Sequence, residues 1–170
     1  MALHGYIDPE IPDRSALVFA PENPIKNDGL LQVREIRNLR LNADLVTLSA
    51  CDTGVGPVGE EGAENIVNAF FDVLSPGVLH ILYGTISVAL AERLTVEHAS
   101  RGIDLVGASV FGRPSDAEAG QLWIVVAGAD KAVDHARPLL ATFSRGITVV
   151  GKEPQQAYAI KPGTILPLPS

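Results

Sequence analysis

Short apolar runs rich in Val, Ile and Leu alternate along this chain with amphipathic stretches of roughly 12 to 15 residues, and few folds accept that alternation. Residues 45–48, 78–83, 103–110, 122–126 and 147–150 have the length and β-branching of buried strands. Between them, residues 63–74, 87–99 and 130–143 carry apolar residues at helical spacing. Strands separated by helices of that size build parallel pairs with a crossover helix, so the expected fold is α/β with helices on both faces of one sheet. The link between 103–110 and 122–126 is too short for a covering helix and reads as a polar loop over 111–120. That pair is therefore expected to be antiparallel, which makes the sheet mixed.

The N-terminal part is less regular. Residues 6–29 are rich in Pro, Asp, Asn and Glu around one apolar run, Ala16-Leu17-Val18-Phe19, which reads as a short strand in a loop. Leu30, Leu31, Val33, Ile36 and Leu39 then recur at helical spacing, with Asp28 as the expected N-cap. Arg101-Gly102 reads as a helix C-cap. One turn of helix is expected within 154–161, and 162–170, with three prolines, reads as a loose tail. A length of 170 residues suits a single domain.

Formal net charge is -7 and no basic run occurs, so neither nucleic acid nor an anionic membrane is an expected partner. No apolar stretch reaches the roughly 20 residues of a membrane span. The start, Met1-Ala2-Leu3-His4, lacks the pattern of a secretory leader. With Cys51 as the sole cysteine, no intramolecular disulfide can form, and a reducing, cytoplasmic setting is expected.

One pair of residues suggests chemistry. His4-Gly5 follows a short apolar start, and Ser49-Ala50-Cys51 ends the strand at 45–48. Two neighbouring parallel strands would bring His4 and Cys51 together at their carboxyl ends, where such sheets place their sites. A histidine there can take the thiol proton, and backbone N–H groups at Gly5 and Cys51 can hold an oxyanion. The structural alternative is a buried cysteine acting as a small hydrophobe. The stretch "LHGYIDPE…SALVFAPE…DGLLQVREIRNLRLNADLVTLSACDTGVG…GEEGAENIVNAFF", about residues 1–71, resembles the caspase-like CHAT peptidases. That resemblance implies His4 as general base, Cys51 as nucleophile and Gly5 in the oxyanion site.

The remainder has a different likeness. "GTIS", "GASVFGRP…AEAGQLWIVVAG" and "ARPLL", within about residues 72–161, resemble the nucleotide-binding domain of β-hydroxyacid dehydrogenases and imine reductases. The resemblance implies a Rossmann- or flavodoxin-like three-layer αβα sandwich and sets Lys161 at the family's catalytic lysine. Phe111 stands where that family usually has Ser, and the Asn expected after the lysine is absent, since Pro162-Gly163 follows. Gly54-Val55-Gly56-Pro57-Val58-Gly59 matches the dinucleotide fingerprint literally, but Glu60 and Glu61 would repel a pyrophosphate. This loop is read as a decoy, and no cofactor is expected. His80, His98 and His135 lie on separate elements without ligand spacing, so no metal is expected either. Arg113 could bind an anion or simply be solvated.

The simplest account is a chimera joined near 71–77, an engineered or recombined scaffold without evolved activity. A residual cysteine hydrolase and a relic NAD(P)-binding fragment are the alternatives. A homodimer through an open sheet edge is a further expectation.

Overall fold

The computed structural model describes residues 2–8, 10–19, 28–49, 56–84 and 86–160. Strands β1 (Ala2–Tyr6), β2 (Ala16–Phe19) and β3 (Leu30–Gln32) form a small antiparallel sheet in that order. A short helix α1 (Val33–Ile36) leads to the larger sheet. Its strands are β4 (Leu45–Ser49), β5 (Leu79–Tyr83), β6 (Asp104–Phe111), β7 (Leu122–Ala127) and β8 (Ser144–Gly151), arranged in sequence order. Helix α2 (Gly56–Val73) joins β4 to β5, and α3 (Val88–Ser100) joins β5 to β6. Helix α4 (Pro114–Glu118) lies between β6 and β7, and α5 (Asp130–Ala141) between β7 and β8. A 3-10 turn over Pro154–Ala157 follows β8.

Pairing in the larger sheet follows the expected mixed pattern. β4, β5 and β6 are mutually parallel, in registers such as Leu45↔Leu79 and Leu79↔Asp104. β7 runs antiparallel to β6, with Ala108 opposite Val126, and β8 is parallel to β7. The link between β6 and β7 is more than a polar loop. Pro114 can open a helix because its missing N–H would be unsatisfied there anyway, and Asp116 Oδ2 accepts the Arg113 N–H at 2.7 Å.

Side chains on β5 alternate between two cores, as a pleated strand requires. Leu79, Ile81 and Tyr83 pack with Val106, Ala108, Ile124 and Val126 under Ala132, Val133, Ala136 and Leu140 of α5. Leu82 instead joins Leu48, Ile66, Val67 and Phe70 of α2, and Leu90 and Leu94 of α3. Helices therefore cover both faces. Leu17, Val33 and Ile36 belong to the α2–α3 cluster, so the small sheet and the large one share a core.

Several boundaries differ from expectation. Residues 30–39 are not one helix, because Leu30, Leu31 and Gln32 pair with Val18, Leu17 and Ala16 before the chain turns helical. Asp28 does not cap a helix. Its carboxylate accepts the Leu30 N–H at 3.0 Å, a local turn that aims the chain into β3. Helix α2 starts at Gly56, seven residues before the expected start. By contrast, α3 has its expected ends. Ser87 Oγ accepts the Leu90 N–H at 3.1 Å. At the other end Gly102 takes φ +67, with Gly102 N–H donating to Ala99 and Ile103 N–H to His98. These two bonds satisfy carbonyls that a helix end leaves open.

Among the described residues no helix is long and apolar enough to cross a membrane.

Candidate functional site

The residues singled out in the sequence fall in different places. His4 lies opposite Val18 and Gly5 opposite Leu17, inside the antiparallel sheet. β1 takes its backbone partners from the nearby run Ala16–Phe19, whereas β4 pairs with β5. The expected parallel neighbourhood of the His4 and Cys51 strands is therefore not among the described ladders. Cys51 and Lys161 lie outside the described residues.

Gly56 is the first residue of α2 and Gly59 lies in its first turn, where the second and third glycines of a dinucleotide fingerprint fall. The objection to a pyrophosphate here is the acidic pair Glu60-Glu61 in the same part of the helix. Gly54 lies outside the described residues.

The carboxyl edge of β4, β5 and β6 is the better candidate, because open α/β sheets bind ligands there. Leaving β5, the chain passes Gly84 at φ +132 and enters α3 at its Ser87 cap. Leaving β6, it passes Gly112 at φ +148 and the exposed Arg113 at the start of α4. The segment after β8 returns across the α3 face towards the same edge. Ser109 Oγ donates to the Ala157 carbonyl at 2.8 Å, and Tyr158 Oη donates to the Leu82 carbonyl at 2.6 Å. Burial pushes the Tyr158 phenol well above its usual range. The Tyr83 hydroxyl is also at this end of β5. It is buried, has no hydrogen-bond partner, and burial again raises its pKa. Its ring meets Phe143 edge-on, with centroids 5.8 Å apart. A phenol buried in this way stays protonated at ordinary pH.

The fold also brings together two histidines that lie on separate elements. His80 Nδ1 and His98 Nε2 are 2.8 Å apart, and both residues are fully buried. Desolvation, with a smaller effect from its neighbour His98, lowers the His80 pKa to about 3. Desolvation lowers that of His98 to about 4, against a rise from its bond to Leu94. The signal was in the pattern of α3, where His98 continues the inward stripe Leu90, Ala91 and Leu94. His135 is exposed on α5 and takes no part.

Comparison with known proteins finds two likenesses. The Bacillus subtilis protein described as "Uncharacterized oxidoreductase YfjR" is 37% identical over 123 residues, 71% of this chain and 41% of that protein. The NAD-dependent L-serine dehydrogenase of Pseudomonas aeruginosa is 31% identical over 80 residues, 47% of this chain and 27% of its own length. The chain thus spans less than half the length of these curated relatives. Among solved structures, Mycobacterium tuberculosis 3-hydroxyisobutyrate dehydrogenase superposes with a TM-score of 0.61 at 23% identity. It covers 72% of this chain and 40% of that one, a likeness of fold. The CHAT domain family matches residues 1–100, further along the chain than the stretch of about 1–71 that carries the resemblance. In a chain of 170 residues the family match and the oxidoreductase match must overlap. The overlap falls within a region where β4, β5 and β6 pair in parallel without a break. With more than half its length matched, this chain belongs to the CHAT domain family, and it carries a dehydrogenase-like Rossmann fragment in the same α/β sheet.

Proposed function

We propose that this protein is a recombined α/β scaffold that keeps a weak dinucleotide site and turns over no substrate of its own. The observation that carries the reading is the β5–α3 junction. There a strand of the parallel sheet passes through Gly84 into a capped helix start, at the edge where such sheets bind ligands. The first N–H groups of a helix have no intrahelical acceptor and suit an anionic group. The 31% identity to an NAD-dependent L-serine dehydrogenase over 80 residues supports a dinucleotide as that group. Glu60 and Glu61 near the start of α2 oppose a second phosphate cradle there, so binding through one junction is weak.

Thermal unfolding with NAD and NADP tests the reading. Ligand at about tenfold above Kd stabilises the native state by about 1.4 kcal/mol. For a chain of this length that is a rise in Tm of about 3–6 °C. An unchanged Tm at roughly 10 mM of either dinucleotide, where even a millimolar Kd would register, sinks the proposal.

A second reading, residual cysteine hydrolysis through His4 and Cys51, is favoured by the CHAT match. Alkylation of Cys51 by iodoacetamide across pH, in the parent and in His4→Ala, separates the two. An assembled dyad gives a thiol pKa well below about 8.5 that returns towards that value in the variant. Slow alkylation at every pH, indifferent to the substitution, rejects the hydrolase.

A further inference from the structure

β5 and α3 meet through two imidazoles that have no contact with water. His80 is the second residue of β5, and His98 lies in the last turn of α3. His98 Nδ1 lies 2.7 Å from the Leu94 carbonyl oxygen, one turn earlier. A carbonyl can only accept, so His98 holds its proton on Nδ1 and presents a bare Nε2. His80 therefore donates its Nδ1–H to that nitrogen across 2.8 Å. Its own Nε2 is then bare as well, buried and without a partner. Two rings, two protons and one carbonyl form a relay with a single direction.

A third proton has no favourable place in this relay. On His80 Nε2 it makes a buried cation with no acceptor. On His98 Nε2 it sets two N–H groups against each other and removes the bond between strand and helix. The surroundings do not offset that charge. From the end of α3, Arg101 lies 4.1 Å over the Phe71 ring, which packs 4.6 Å from the His98 ring. From α2, the Asp72 carboxylate is 3.2 Å from Arg101 and 3.9 Å from Arg37, which follows α1. Asp44, just before β4, and Asp104, at the start of β6, are exposed to solvent. Among the described residues no carboxylate hydrogen-bonds either imidazole.

We propose that the His80–His98 pair is an acid-release latch, keeping α3 docked on β5 only while both rings are neutral. Undocking exposes both rings to water, where they take up protons, so falling pH pulls the equilibrium towards the open form. The native pKa values lie below that of a free imidazole. Docking is thus undiminished above about pH 6.5 and weakens as pH falls towards the native values. Since α3 also supplies the Ser87 cap at the carboxyl edge, release of the helix dismantles that edge.

Amide hydrogen exchange of the 170-residue chain, corrected for intrinsic rates, measures the opening of α3 directly. With two protons taken up, the α3 opening constant rises by about fiftyfold between pH 6 and pH 5. The same factor is not expected for α5, which holds no buried imidazole. A change in α3 of less than about tenfold, or an equal rise in α5, overturns the latch. In His80→Leu/His98→Leu the pH dependence of α3 vanishes, and its persistence in a folded double variant also overturns the proposal. Should that variant not fold, nitrogen-15 shifts of the parent imidazoles decide. A bare Nε2 on His80 that persists at pH 5 supports the latch, and a protonated one refutes it.

Discussion

Gly107 shows how much one missing side chain can carry. It sits in the middle of β6 with ordinary strand backbone, so its role is spatial rather than conformational. A Cβ there would overlap the Pro154 carbonyl oxygen and press on the Tyr158 ring. The 3-10 turn can approach the sheet only because that atom is absent, and Ser109 and Tyr158 then tie the returning chain to β6 and β5. Gly107→Ala is therefore expected to lower stability by about 1–3 kcal/mol, in line with overpacking of a filled interior. Urea unfolding measures it, and a variant as stable as the parent would show that the turn can lift away without loss. Nothing in the apolar run 103–110 announces this glycine, because its neighbour lies some fifty residues further along the chain. The histidines share that difficulty. Each occupies an inward position that local periodicity can suggest, but their contact depends on how β5 and α3 are set against each other.

At the scale of elements, the legible features were those enforced within a few residues. The ends of α3 follow from Ser87 and Gly102, which satisfy orphan N–H and carbonyl groups locally. The antiparallel turn from β6 to β7 follows from the short link between them, whose small helix α4 does not cross the sheet. Where local preference and long-range pairing compete, the reading fails. Leu30, Leu31, Val33, Ile36 and Leu39 fit a helical stripe, yet β2 offers a ladder to the first two and the helix shrinks to four residues. Strand propensity is decided by the neighbour that is present, and that neighbour is ten residues or more away in sequence. Helix α2 was underestimated for another reason. Glycines and a proline at its start suggest a loop, but Pro57 is tolerated in the first turn, where its missing N–H costs no bond.

For the molecule as a whole, the question is whether two likenesses make one cooperative unit. Leu17, Val33 and Ile36 from the N-terminal elements pack in the same cluster as Leu48, Phe70, Leu82, Leu90 and Leu94. An apolar core shared in this way couples the two sheets, because neither can expose its half without opening the other. The ion pairs Asp13–Arg37, Arg37–Asp72 and Arg101–Asp72 run along the same junction. Their groups are well exposed, so they contribute little beside the core. Unfolding in urea should thus give one transition, with Trp123 fluorescence and far-ultraviolet circular dichroism coincident. Two resolved steps, or strong binding of a hydrophobic dye before unfolding, would show that the halves keep separate cores.

Periodicity, β-branched runs, caps and link lengths were enough to specify an α/β chain with a mixed sheet and helices on both faces. Each of those signals acts between residues close in sequence, where steric and hydrogen-bonding preferences are nearly independent of the rest of the molecule. Tertiary structure alone set β1 in a sheet apart from β4, closed the turn after β8 onto Gly107 and joined His80 to His98. These arrangements bring together groups far apart in the chain. Their free energy comes from shared burial, which no local pattern records.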